Sequence, residues 1–223
     1  MEKQKLNFIS SWDDGSKYDL RLVEMLKKYE LGGIFFLNYP AGEIREKDIK
    51  EIYDLGFEIG GHTVQHFPDC KIVDIELLFD DISYNKEALQ DIIGEEIINF
   101  CYPRGRYDQR VIDVIKQNEY KTARTTKVGE TKWPDDFYQI KTSIHVFKRE
   151  KYLEKSWSEM AVALAYLASQ DNGLFHLWGH SKEIDKFGQW ENLENFFKYL
   201  KENYQINNIK SYGRNKSISA STE

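Results

Sequence analysis

The chain has 223 residues, 41% of them hydrophobic and 30% charged, with a net charge of −6. That length suits one large α/β domain, and the composition is that of a globular protein able to bury a core. Both signs of charge are scattered without a basic stripe, which argues against a nucleic-acid groove. No run approaches the roughly 18 apolar residues of a membrane span.

In chain order, Leu6 to Trp12 is an apolar run that reads as a strand and is closed by Asp13-Asp14-Gly15. Asp19 to Tyr29 carries Leu22, Val23, Met25 and Leu26 on a helical period. Gly33 to Leu37 is a short buried strand, and Lys47 to Leu55 a helix ended by Gly56. Phe57 to Gly60 is a third strand, which delivers His62. A long amphipathic helix follows over Asp74 to Ile93, ended by Gly94.

Ile97 to Tyr102 is the fourth strand and stops at Pro103. Asp108 to Asn118 reads as a helix, Tyr120 to Thr126 as a strand, and Tyr138 to Val146 as a further β segment. Ser156 to Ser169 is a helix with Trp157, Met160, Leu164 and Leu167 on one face. Leu174 to Trp178 is a late strand and Trp190 to Tyr204 the last clear helix. From Gly213 the chain is rich in Ser, Asn and Lys. Residues 1–212 therefore read as one domain, with 213–223 as a flexible tail.

Strand–helix alternation predicts a parallel sheet with helical crossovers. The residues with chemistry follow several different strand ends: Asp13, Asp14, His62, His66, Arg104 and His180. That scatter favours a β/α barrel, whose C-terminal strand ends form a ring, over a doubly wound sheet with one switch point. Met1 to Lys5 leads straight into the first strand without an apolar leader, so the expected location is cytoplasmic. Cys70 and Cys101 stand in no paired spacing and read as reduced structural thiols. Nothing in the chain speaks to its oligomeric state.

Asp13-Asp14-Gly15 alone is a common turn pattern. Paired with His62-Thr63-Val64-Gln65-His66 it becomes a candidate metal centre. A helical turn at His62 would place both imidazoles on one face. Asp14, His62 and His66 can then supply three ligands, leaving Asp13 as a base toward water. Nitrogen and carboxylate ligands suit zinc first; cobalt, nickel and iron are also compatible. His180 could protonate a leaving group, whereas His176 reads as a hydrogen-bonded interior residue and His145 as structural.

The ordered set resembles the polysaccharide deacetylase family, the NodB-homology carbohydrate esterases. Ser11 to Gly15 is similar to its Thr-Phe-Asp-Asp-Gly motif, His62 to His66 to its His-Ser/Thr-x-x-His motif, and Phe100 to Gly105 to its Phe-Ala-Tyr-Pro-x-Gly motif. The resemblance implies a distorted, incomplete (β/α) barrel and metal-dependent removal of an acetyl group from an N-acetylhexosamine-containing saccharide or precursor, releasing acetate. Carried over, Asp14, His62 and His66 bind the metal, and Asp13 takes a proton from water. The Arg104 N–H stabilises the oxyanion, and His180 protonates the departing amine.

Three motifs depart from the family: the third, the fourth and the late one around His180. Many members carry an arginine two residues before the motif proline, where this chain has Cys101; Arg124 at the end of the next strand is the candidate replacement. The Asp-Trp of the fourth motif is matched in residue type by Trp133-Pro134-Asp135-Asp136, in a loop, and Glu183 stands near His180 either to orient it or to cap a turn. The alternatives are hydrolysis of another C–N bond, as in allantoinase- or imidase-like relatives, and a saccharide-binding barrel without turnover.

Overall fold

A computed structural model describes residues 3–147 and 156–212. The expected tail, 213–223, lies outside them. Eight strands form one all-parallel sheet: β1 (Gln4–Asp13), β2 (Ile34–Leu37), β3 (Glu58–Gly61), β4 (Asn99–Cys101), β5 (Thr122–Arg124), β6 (Ile144–His145), β7 (Leu174–Gly179) and β8 (Tyr204–Asn208). Helices α1 (Asp19–Lys28), α2 (Glu46–Asp54), α3 (Ile75–Ile93), α4 (Gln109–Gln117), α5 (Trp157–Gln170), α6 (Ser181–Lys186) and α7 (Trp190–Asn203) lie between them. Parallel pairing requires such crossovers.

The strand order is β5-β4-β3-β2-β1-β7-β6, and β1 is shared lengthwise. Its end, Ser11 to Asp13, pairs with β2; its beginning, Gln4 to Phe8, pairs with β8; Asn7 to Trp12 pairs with β7. The sheet curls into a half-barrel. Its inner face gathers Ile9, Ile34, Phe36, Cys101, Ile140, Leu174, Ile209 and Tyr212 in one cluster, which strands so far apart in order reach only across a concave surface. The outer face joins Leu6, Phe8, Phe35, Phe100, Phe175 and Leu177 to the helices in a larger core. Alternation along each strand separates the two sets.

One segment ties the sheet's ends together. Ile140 bridges Arg124 on β5, and a few residues later Ile144 and His145 pair with β7. The expected β segment over Tyr138 to Val146 is thus two short contacts rather than one strand. The helix α5 also differs from expectation: it buries Trp157, Ala161, Ala165 and Ala168, and leaves Leu167 51% exposed. Its small alanines allow close approach to the sheet, which a leucine face would prevent. Neither β8 nor α6 was expected. The polar sequence Tyr204-Gln-Ile-Asn-Asn forms a strand because β1 offers an open edge there, and the Asn208 amide clips onto Gly32 N–H and Glu30 C=O. Among the described residues, no helix is long and apolar enough to cross a membrane.

Candidate metal centre at the barrel mouth

The strand ends carry the site. β1 stops in consecutive left-handed residues, Asp14 (φ 77°) and Gly15 (φ 68°). A β-carbon at Gly15 would also come within 2.8 Å of Ile44, so glycine is required on both counts. The turn throws Asp13 into the barrel and Asp14 over its mouth.

After β3 the chain does not enter a helical turn. Thr63 and His66 both have positive φ, and the loop between them is held from α3. Asp81 accepts hydrogen bonds from Val64 N–H (2.8 Å) and Gln65 N–H (3.1 Å), and Asn85 accepts one from His62 N–H (3.0 Å). The two imidazoles meet edge to face, ring centres 5.0 Å apart. Their convergence is therefore built by a loop strapped to a helix. Asp81 and Asn85 share the buried stripe of Leu78, Ile82 and Leu89, as does Lys86; polar residues on an apolar helix face were the available sequence signal.

His62 Nε2 and His66 Nε2 each stand 3.3 Å from Asp14 Oδ1. His62 Nδ1 donates to the Cys101 carbonyl (2.7 Å), which turns Nε2 toward the carboxylate. Asp14 Oδ1 itself is buried with no hydrogen-bond partner. Burial lowers the pKa of His66, with His62 adding to the effect, the direction that favours the neutral imidazole a ligand requires. An orphaned carboxylate oxygen facing two imidazole nitrogens fits a divalent cation in donor type and number.

Asp13, 3% exposed, faces Arg124, 1% exposed. Arg124 Nη2 donates to both carboxylate oxygens, and to Cys101 Sγ at 2.8 Å. Cys101 and Arg124 are direct partners across β4 and β5. The small thiol thus leaves space that the guanidinium fills from the next strand. The Phe36 and Trp178 rings flank it, 5.4 and 4.6 Å from the guanidinium carbon. Burial raises the pKa of Asp13, but Arg124, His62 and His180 outweigh it and hold the carboxyl below its ordinary range. Asp13, His62 and Cys101 also converge, yet Arg124 already neutralises Asp13, which disfavours a cation there.

His180 caps α6 at the mouth. Its Nε2 lies 3.7 Å from Asp14 Oδ2, and its Nδ1 is 2.8 Å from Glu183 Oε2. The same Glu183 oxygen is 3.3 Å from His145 Nε2, and His145 stacks on Trp178 at 4.0 Å. His145, expected from sequence to be structural, thus meets His180 through Glu183. Burial opposes the ionisation of Glu183, but His145 and His180 hold it well below the usual carboxylate range. Burial also works against a charge on His180, which Glu183, Asp13 and Asp14 overcome, raising its pKa.

The Pro103–Gly105 turn gives Arg104 φ 55° and exposes its side chain. The Arg104 N–H donates to no backbone carbonyl among the described residues, while its neighbours Gly105 and Arg106 fold back on Tyr102 and Pro103. His176 is interior, as expected, between Ser11 Oγ and the Tyr212 hydroxyl, each 2.8 Å away. Trp133 hydrogen-bonds the Asn172 carbonyl just before β7, at the end opposite the mouth, so its loop does not reach the site.

Asp13, Asp14, His62, His66, Arg124 and His180 thus form one cluster at the rim of a parallel β/α half-barrel, with the Arg104 turn beside it. The class this defines is a curled β/α barrel with a carboxylate–imidazole cluster, a candidate cation centre, at its C-terminal rim. The family model for polysaccharide deacetylase matches residues 2–123, and the chain belongs to that family. It is 25% identical over 170 residues to the peptidoglycan-N-acetylmuramic acid deacetylase PdaA of Bacillus subtilis, covering 75% of this chain and 60% of that protein. Among solved structures it is similar to a putative polysaccharide deacetylase from Mycobacterium smegmatis (TM-score 0.69, 13% identity, 92% of this chain and 87% of that one). It is also similar to a CE4 family pseudoenzyme from Bacillus anthracis (TM-score 0.61, 16% identity, 93% and 65%). At these identities the structures bear on the fold alone.

Proposed function

We propose that this chain is a metal-dependent N-deacetylase that hydrolyses the acetamide of an N-acetylhexosamine-containing saccharide or precursor to acetate and a free amine. The observation that carries the reading is the orphaned Asp14 Oδ1 facing His62 Nε2 and His66 Nε2, directly beside a buried Asp13 paired with Arg124. Asp14, His62 and His66 would hold the cation, zinc first by donor type and cobalt, nickel or iron also by ligand chemistry. When bound, such a cation supplies Lewis-acid polarisation of the scissile carbonyl and of water.

The chain's own residues divide the remaining work. Asp13 accepts the proton of the attacking water; Arg124 keeps that carboxylate charged and fixes both its oxygens. The Arg104 N–H donates to the developing oxyanion, a contribution of about 3–4 kcal/mol for one such donor. His180 Nε2 gives a proton to the departing nitrogen, and Glu183, accepting from Nδ1, sets the ring's direction. Glu183 would thereby serve where the family's fourth-motif carboxylate is lacking.

The test is acetate release from N-acetylglucosamine oligomers by zinc-loaded wild type and by Asp13→Asn. The reading expects release by the wild type and a fall of about 10³-fold or more in the variant at equal metal content, as for loss of an essential proton acceptor. Equal rates would remove Asp13 as the base. A metal-loaded wild type inert on every acetylated saccharide would leave a binding barrel.

A further inference from the structure

A groove of about 440 Å³ is lined by Lys71, Arg106, Tyr107, Asp108, Lys127 and Gln139 among others. Its walls continue the turns that carry the site. Lys71 follows the loop of His66, Arg106 follows the Arg104 turn, and Lys127 stands three residues after Arg124. Tyr107 stacks on Tyr102 with ring centres 4.3 Å apart, and its hydroxyl donates to Gln139 (3.0 Å). Lys127 Nζ lies over the Tyr107 ring at 5.9 Å.

The charge of this groove opposes that of the chain. Three cations line it in a protein of net charge −6. Lys71 has Asp69 at 3.6 Å. Arg106 and Lys127 have no carboxylate within ion-pair distance among the described residues. The lining carboxylate, Asp108, is occupied as the cap of α4, accepting from Val111 N–H at 3.1 Å. Two unneutralised cations lining one groove, Lys127 over the Tyr107 ring and Arg106 next to it in the chain, form a complementary site for an anion attached to a sugar.

Resting on the deacetylase reading, we propose that this groove is an anion subsite. Arg106 and Lys127 receive a carboxylate or phosphate substituent of the saccharide next to the residue being deacetylated. The substrate is then an acidic saccharide rather than a neutral N-acetylglucosamine homopolymer. The cations stand at positions 71, 106 and 127, separated in sequence, so only folding assembles the patch.

Calorimetry on zinc-loaded Asp13→Asn protein, where turnover does not interfere, compares a neutral N-acetylglucosamine oligomer with its O6-carboxymethylated and O6-phosphorylated counterparts. One or both charged oligomers should bind ~10-fold more tightly, since two exposed pairs each contribute up to about 0.7 of a decade. Arg106→Gln with Lys127→Gln, and separately high salt, should bring that ratio to about one. Whichever anion shows the preference identifies the substituent. Equal affinity for all three oligomers, or a preference untouched by the double substitution, overturns the proposal. Failure of the wild type to release acetate from any of them would refute the deacetylase reading, while the binding ratio would still decide the groove.

Discussion

Replacing Arg124 by alanine tests the inner half of the site. Asp13 and Arg124 are 3% and 1% exposed, so water cannot take over from the guanidinium once it is removed. An uncompensated buried carboxylate costs about 3–5 kcal/mol, a large share of an ordinary domain's stability. Burial then acts on Asp13 unopposed by Arg124 and raises its pKa, so the deficit relative to wild type should grow as pH rises and the unpaired carboxylate is forced to ionise. Urea unfolding at two pH values measures the stability loss, and acetate release with metal analysis measures the catalytic one. Turnover should fall while metal content stays. The cross-strand pairing of Cys101 with Arg124 supplies the control: Cys101→Arg combined with Arg124→Ala returns the charge from β4 and should recover at least half of both losses. An Arg124→Ala protein within ~1 kcal/mol of wild type, with unchanged turnover, would refute the pairing as the basis of Asp13's role.

Two further outcomes follow from residues behind the site. Asp81→Ala leaves the Val64 and Gln65 N–H groups unpaired, which should cost about 1–3 kcal/mol. It should also weaken zinc affinity ~10–100-fold in competition titrations; unchanged affinity would contradict its hold on the histidine loop. Asp19, 1% exposed between Ser16 N–H and Ser181 Oγ, has its pKa pushed up by burial to about 7, with Asp14 adding to the rise. A raised carboxyl pKa means the folded state holds a proton the unfolded chain releases. This contribution to stability is therefore present below about pH 4 and lost toward pH 7, with a slope on the order of 1 kcal/mol per pH unit. Asp19→Asn should flatten that slope in urea midpoints, and parallel wild-type and variant curves would refute it.

The parts of the molecule that sequence makes legible are those encoded locally. Asp13, Asp14, His62 and His66 stand at strand ends with recognisable spacing, and the strand–helix alternation forecasts a parallel sheet. Arg124 could be singled out because it ends the strand after Cys101, the position at which the resembled family's arginine is missing. The errors arose where tertiary contact decides. The histidine spacing suggested a helical turn, but Asp81 and Asn85, close in space and far in sequence, impose a loop. The α5 pattern pointed to its leucines because periodicity reports apolar residues, whereas sheet contact selects small ones. His145 and Glu183 meet His180 only once β6, β7 and α6 are assembled. β8 forms from a polar segment because β1 has an edge to offer.

Elemental analysis of purified wild type beside His62→Ala and His66→Ala tests the central claim most directly. The account predicts about one equivalent of a divalent metal in the wild type and loss of it in both variants, each still folded. A wild type that holds no metal and takes up neither zinc, cobalt nor nickel would contradict it, and Asp14, His62 and His66 would then be an ion-paired part of the fold.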